Sequence, residues 1–136
     1  EDGPGTDPPL DRFGRDAFRH PMRWDDSPAG GFSDGDPWLP AAPGPSVASE
    51  RADRDSLLHL FRELIALRPR LEGDPVTVPS PPGTVAFERG GHLVLVNLGD
   101  EPAALPAAGA PQIASHRGAV SNGRIAAHAA TVLARN

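Results

Sequence analysis

The chain has 136 residues, enough for one ordinary domain or parts of two. Gly and Pro together supply 15 + 17 = 32 residues, which speaks against one dense core running from end to end. The net charge is -5 and there is no cysteine, so disulfides and Cys-based metal sites are excluded and a nucleic-acid partner is disfavoured. No apolar run approaches the ~20 residues of a membrane helix. No basic-then-apolar leader follows Glu1, so a signal peptide is expected to be absent or already removed, and the expected location is cytoplasmic.

Residues 1–48 carry no helical or strand period. Gly and Pro fill 16 of the first 45 positions, the composition of a linker. Yet Phe13, Phe18, Met22, Trp24, Phe32, Trp38 and Leu39 are scattered through it. Tails rarely hold so much large apolar surface, whereas a long loop packed on something larger needs it for anchorage. Residues 1–52 also hold 10 acids against 5 Arg, so only the front of the chain is acidic.

A helix is predicted over 53–68. Leu57, Leu60, Phe61, Leu64 and Ile65 fall at three-and-four spacing, and Leu58 and Leu67 widen the stripe. Asp53 or Asp55 can cap its first turn, and Pro69 stops it. Such a broad apolar stripe needs a large partner surface. Short strands follow at 76–78, 84–88, 92–97, 103–105, 112–115, 124–126 and 130–133. Gly90-Gly91 signals a tight hairpin, and the run Leu93-Val94-Leu95-Val96 predicts a strand buried on both faces. Residues 75–136 therefore read as a small antiparallel sandwich.

Chemistry is sparse. None of the common zinc, nucleophile-elbow, phosphate-loop or dinucleotide motifs occurs. The histidines, at 20, 59, 92, 116 and 128, lack metal-ligand spacing with a carboxylate, so no metal and no cofactor is expected. The dense polar cluster is 14–26. Its Arg and Asp side chains can clamp one another or hold sugar hydroxyls, and Phe18 or Trp24 could stack on a sugar ring. A glycosidase needs two carboxylates about 5–9.5 Å apart on rigid elements. Asp16, Asp25 and Asp26 lie in irregular chain, so no catalytic residue is assigned.

That cluster carries a resemblance. Gly14-Arg15-Asp16-x-x-Arg19-x-Pro21-Met22-x-Trp24-Asp25, then Ala29-Gly30-Gly31-Phe32-Ser33 and Pro37-Trp38-Leu39-Pro40, resembles the loop after the last barrel strand in alpha-glucosidases and oligo-1,6-glucosidases of the alpha-amylase superfamily, glycoside hydrolase family 13. Phe61-Arg62-Glu63-Leu64-Ile65-Ala66-Leu67-Arg68 resembles the last barrel helix. Leu93-Val94-Leu95-Val96-Asn97-Leu98-Gly99-Asp100 and Ala130-Thr131-Val132-Leu133 resemble strands of the C-terminal β domain.

The resemblance implies a fragment: the end of a (β/α)8 barrel at 1–74 (long loop 1–52, last helix 53–68), followed by an all-β antiparallel sandwich at 75–136. It implies a parent that hydrolyses alpha-glucosidic bonds in small oligosaccharides with retention. The nucleophilic Asp, the acid/base Glu and a second Asp that grips the sugar lie upstream of these residues, so the isolated chain is expected to be inactive. Arg15, Asp16, Phe18, Arg19 and Trp24 would lie near the substrate mouth. The three polar ones among them would either contact sugar or hold the loop. The implied partner is the absent N-terminal barrel, with oligosaccharide bound only in its presence and neither nucleic acid nor membrane involved. The alternative is a small carbohydrate-binding or interaction module on 75–136. That segment has only one aromatic, Phe87, where sugar platforms need several.

Overall fold

The computed structural model describes residues 18–106 and 109–135. They fall into two compact units that divide between Leu58 and His59. No helix among the described residues is long and apolar enough to cross a membrane.

The first unit is irregular up to a short helix, α1 (Val47–Ala52), in a region whose sequence shows no helical period beforehand. Local capping explains it. Ser46 sits extended at the N-cap, and its hydroxyl accepts from the Ser49 amide at 3.1 Å. The Arg23 and Trp24 carbonyls accept from the Val47 and Ala48 amides, both at 2.9 Å. The first turn's orphan donors are thus satisfied by the loop itself.

The helix expected over 53–68 is shorter. Asp53 does not cap it. It closes α1 as the C-cap, extended at φ -94°, and its carboxylate accepts from the Asp55 amide at 2.9 Å. This Asx turn reverses the chain, and the buried Ser56 donates to the Glu50 carbonyl at 2.7 Å. The second helix, α2, therefore spans Leu57–Leu67. Pro69, which has no N–H to continue the ladder, turns the end into a 3-10 turn over Arg68–Arg70.

The second unit holds two sheets. The larger has the order β1-β2-β3-β8-β5, built from Val76–Thr77, Thr84–Arg89, His92–Asn97, Ala129–Ala134 and Pro111–Ala114. The smaller has the order β4-β7-β6, from Ala103–Ala104, Arg124–Ile125 and Val120–Ser121. Every pairing is antiparallel. β6 is not among the strands expected from the sequence.

Gly90 and Gly91 close the β2–β3 hairpin at φ 54° and 71°, the left-handed pair a two-residue turn requires. Gly90 has a second reason to be glycine: a Cβ there would lie 2.4 Å from the Arg70 carbonyl oxygen, so the hairpin tip seats directly on the chain leaving α2.

β3 is not buried on both faces as its apolar run predicts. Leu93, Leu95 and Asn97 are buried, while His92, Val94 and Val96 are half-buried. The inner face joins Ala86, Ala119, Ile125, Ala129 and Leu133, so both sheets feed one apolar cluster. Each fully buried Leu or Ile there contributes about 2 kcal/mol on leaving water. The outer face is covered only in part, where Leu60, Leu67 and Leu71 pack near Val94. Asn97 is the polar member of the inner row and is fully bonded. Its amide donates to the Glu101 and Ala126 carbonyls at 2.8 Å each, and its carbonyl accepts from the Gly99 amide at 3.0 Å.

Candidate functional site

The polar cluster is the natural place to look for chemistry. Arg15 and Asp16 lie outside the described residues. From Phe18 on, the loop is clasped by its own polar groups. Asp25 accepts from the Ser27 hydroxyl at 2.6 Å and from its amide at 2.9 Å. The Ser27 hydroxyl in turn accepts from the Gly31 amide at 2.8 Å. Trp24 donates its amide to the Gly30 carbonyl at 2.6 Å, which closes the turn. Gly31 has φ 65°, and a Cβ on it would come within 2.6 Å of the Asp25 carboxylate, so only glycine fits.

Neighbouring side chains serve the same clasp. Arg23 pairs with Asp26 at 3.3 Å. The His20 ring donates to the Pro40 carbonyl at 2.8 Å. Only a few residues here are buried, among them Pro21, Gly30, Leu39 and Ser46.

The electrostatics follow from these bonds. The Ser27 hydroxyl and amide, helped by the Arg23 charge, hold the Asp25 carboxyl below the ordinary aspartate range. A general acid must be able to carry a proton near neutral pH, and Asp25 is arranged to stay ionised. Asp26 is engaged with Arg23. The described carboxylates of the cluster thus shape the loop. Arg19 is half-buried, and the aromatic candidates point outward: Phe18 is 88% exposed and Trp24 48%, with Phe32 and Trp38 also exposed. Ser27 and Ser46 were not singled out from the sequence, and Gly30 and Gly31 entered only as part of the resemblance. The Asp-x-Ser spacing and the Gly pair were the available signals.

The other unusual surface is on α2. At about 100° per residue, Leu60, Leu64 and Leu67 share one side and Leu57, Phe61 and Ile65 the adjoining one. Leu67 is buried on the sheet at 3% exposure, but Phe61 and Ile65 are 60% and 67% exposed. Under the sheet-facing side a cavity of about 130 Å³ remains, lined by Leu60, Leu64, Val94, Ile113 and Val132 among others. Leu57, on the side of Phe61 and Ile65, is 61% exposed. Among those residues, no three His, Asp or Glu side chains gather where they could hold a metal ion.

Comparison with known families bears on both features. Residues 5–73, half of the chain, match the family model "Alpha amylase, catalytic domain". The chain belongs to the alpha-amylase family. Within it, the chain is alpha-glucosidase-like. Residues 85–132 match a second model, "Domain of unknown function (DUF3459)". The chain is 43% identical over 58 residues to the oligo-1,6-glucosidase of Parageobacillus thermoglucosidasius, a match covering 40% of this chain and 10% of that protein. It is 43% identical over 58 residues to a probable alpha-glucosidase of Rhizobium meliloti (strain 1021), again 40% and 10%. It is 31% identical over 104 residues to the glucan 1,6-alpha-glucosidase of Streptococcus dysgalactiae subsp. equisimilis, covering 68% and 19%. The chain thus spans between a tenth and a fifth of the length of these relatives. In this alpha-amylase family member, the clasped loop and α2 both fall in the stretch that matches the catalytic-domain model, and most of the second unit falls in the stretch that matches the other.

Proposed function

We propose that residues 1–136 are the C-terminal part of an alpha-glucosidase-like glycoside hydrolase. The long loop and α2 would complete a (β/α)8 barrel, and the two sheets would form a sandwich on its flank with a structural role. The reading rests above all on one observation: Leu57, Phe61 and Ile65 leave an apolar side of α2 uncovered within a segment that matches a catalytic-domain model. Large exposed apolar surface in such a segment is what the rest of that domain would cover. The exposed rings of the loop fit the same account.

On this reading the parent cleaves alpha-glucosidic bonds of small oligosaccharides with retention. Its nucleophilic Asp and acid/base Glu lie in the larger part of the catalytic domain. Retention needs two carboxyl groups about 5–5.5 Å apart on rigid supports. Asp25 and Asp26 are engaged instead by Ser27 and Arg23. Residues 14–25 shape the mouth of the pocket. Arg15, Asp16 and Arg19 would serve to hold this loop or to contact sugar, with Phe18 and Trp24 exposed on it. The carbohydrate-module alternative gains little, since the segment's one aromatic, Phe87, is half-buried.

Fractionating the source cells tests the proposal. Intact-mass analysis would follow every polypeptide containing these residues, and each fraction would be assayed with a 4-nitrophenyl alpha-glucoside. The expected result is one chain several-fold longer than 136 residues that carries both this segment and the activity. Activity that never coincides with a polypeptide containing the segment would overturn it.

A further inference from the structure

The β6–β7 connection is the two-residue loop Asn122-Gly123, with φ 49° and 70°. Both residues are exposed. Among the described residues no hydrogen bond holds the Asn122 side chain, and a Cβ placed on Gly123 would meet nothing within 4 Å. The flanking strands are only two residues each, so few ladder bonds border the turn. The other described asparagine, Asn97, is the opposite case: it is buried, bonded at both ends of its amide and followed by Leu98.

We propose that Asn122-Gly123 is a site of spontaneous deamidation. The Gly123 backbone nitrogen, unshielded by any side chain, attacks the Asn122 Cγ. A new C–N bond closes a five-membered imide, and the former amide nitrogen leaves as ammonia with the proton lost from the backbone nitrogen. Water then adds to either imide carbonyl and breaks one C–N bond. The products are aspartate, or an isomer whose main chain runs through the former side chain. Either product adds one negative charge to the -5 of the chain.

The isomer also lengthens the turn by one main-chain atom. That strains the Leu105 amide bond to the Gly123 carbonyl, now 3.0 Å, and the adjoining Ile125, which is fully buried in the shared core. The modification therefore loosens the three-stranded sheet first.

The test incubates the full chain at mildly alkaline pH and physiological temperature. Peptide mapping by mass spectrometry follows residues 118–124, beside a synthetic peptide of the same residues. The expected result is a mass gain of one deamidation at position 122, within an order of magnitude of the free peptide's rate, and none at Asn97. The Asn122→Gln variant should stay unchanged. A chain still unmodified at 122 when the free peptide has fully converted would overturn the proposal, as would equal gains at 97 and 122.

Discussion

The loop of residues 18–46 and the two-sheet unit are held together by different means. In the sheets, Leu93, Leu95, Ile125 and Leu133 meet in a dry cluster, and backbone ladders satisfy the polar groups around them. In the loop, large apolar residues are mostly outside, and order comes from short polar bonds: Asp25 to Ser27, Ser27 to Gly31, Trp24 to Gly30. The sheets carry their own partner surfaces. In the loop, Phe18, Met22, Trp24, Phe32 and Trp38 are exposed. The loop keeps most of its large apolar residues and its polar clasp on the surface, with Leu39 its buried large apolar residue, and α2, apolar on two sides, shares features of both regions.

Removing core volume should have the largest effect. Leu95→Ala is expected to cost about 3 kcal/mol in urea unfolding followed by far-ultraviolet circular dichroism. Both tryptophans, Trp24 and Trp38, lie in the loop, so their fluorescence reports the other region separately. A cost under about 1 kcal/mol would mean that the sheets do not share the core described.

Next comes Gly90→Ala, which meets both an unfavourable φ and the Arg70 carbonyl. About 2 kcal/mol is expected by the same measurement, as for an overpacked site.

α2 gives a sharper contrast within one element. Leu67→Ala should cost about 2–3 kcal/mol. The pair Phe61→Ser and Ile65→Ser, both exposed, should change stability by about 0.5 kcal/mol or less each in the same unfolding measurement. Equal destabilisation from the two sets would erase the distinction between the sides.

The smallest effect is electrostatic. Asp25 is ionised in the clasp with its pKa lowered, so its contribution is present above the ordinary aspartate value and is lost as pH falls through the depressed one. Carboxyl-resolved NMR should place its midpoint below the ordinary value, and Ser27→Ala should raise it. A midpoint at the ordinary value in the wild-type chain would mean the clasp is open in solution.

Much of the β unit was legible because periodicity and turn chemistry agree there. Gly90-Gly91 marked its hairpin, and strand β3 matches the expected 92–97 at both ends. The run Leu93-Val94-Leu95-Val96 misled on burial, since a continuous apolar run does not say how closely the second face is covered. The start of α2 was misjudged because Asp53 and Asp55 fit an N-cap and an Asx turn equally well, and the hydroxyl of Ser56 decided for the turn by reaching Glu50. The loop was legible in composition but not in geometry. Its clasp depends on Ser27, Gly30 and Gly31 meeting Asp25 and Trp24 in space, and no period encodes that.

The most direct measurement is hydrolysis of a 4-nitrophenyl alpha-glucoside by the purified 136-residue chain. The account predicts no turnover above the uncatalysed rate, because the proposed function puts the cleaving carboxylates outside these residues. Turnover that tracks the concentration of this chain alone, through successive purification steps, would contradict it.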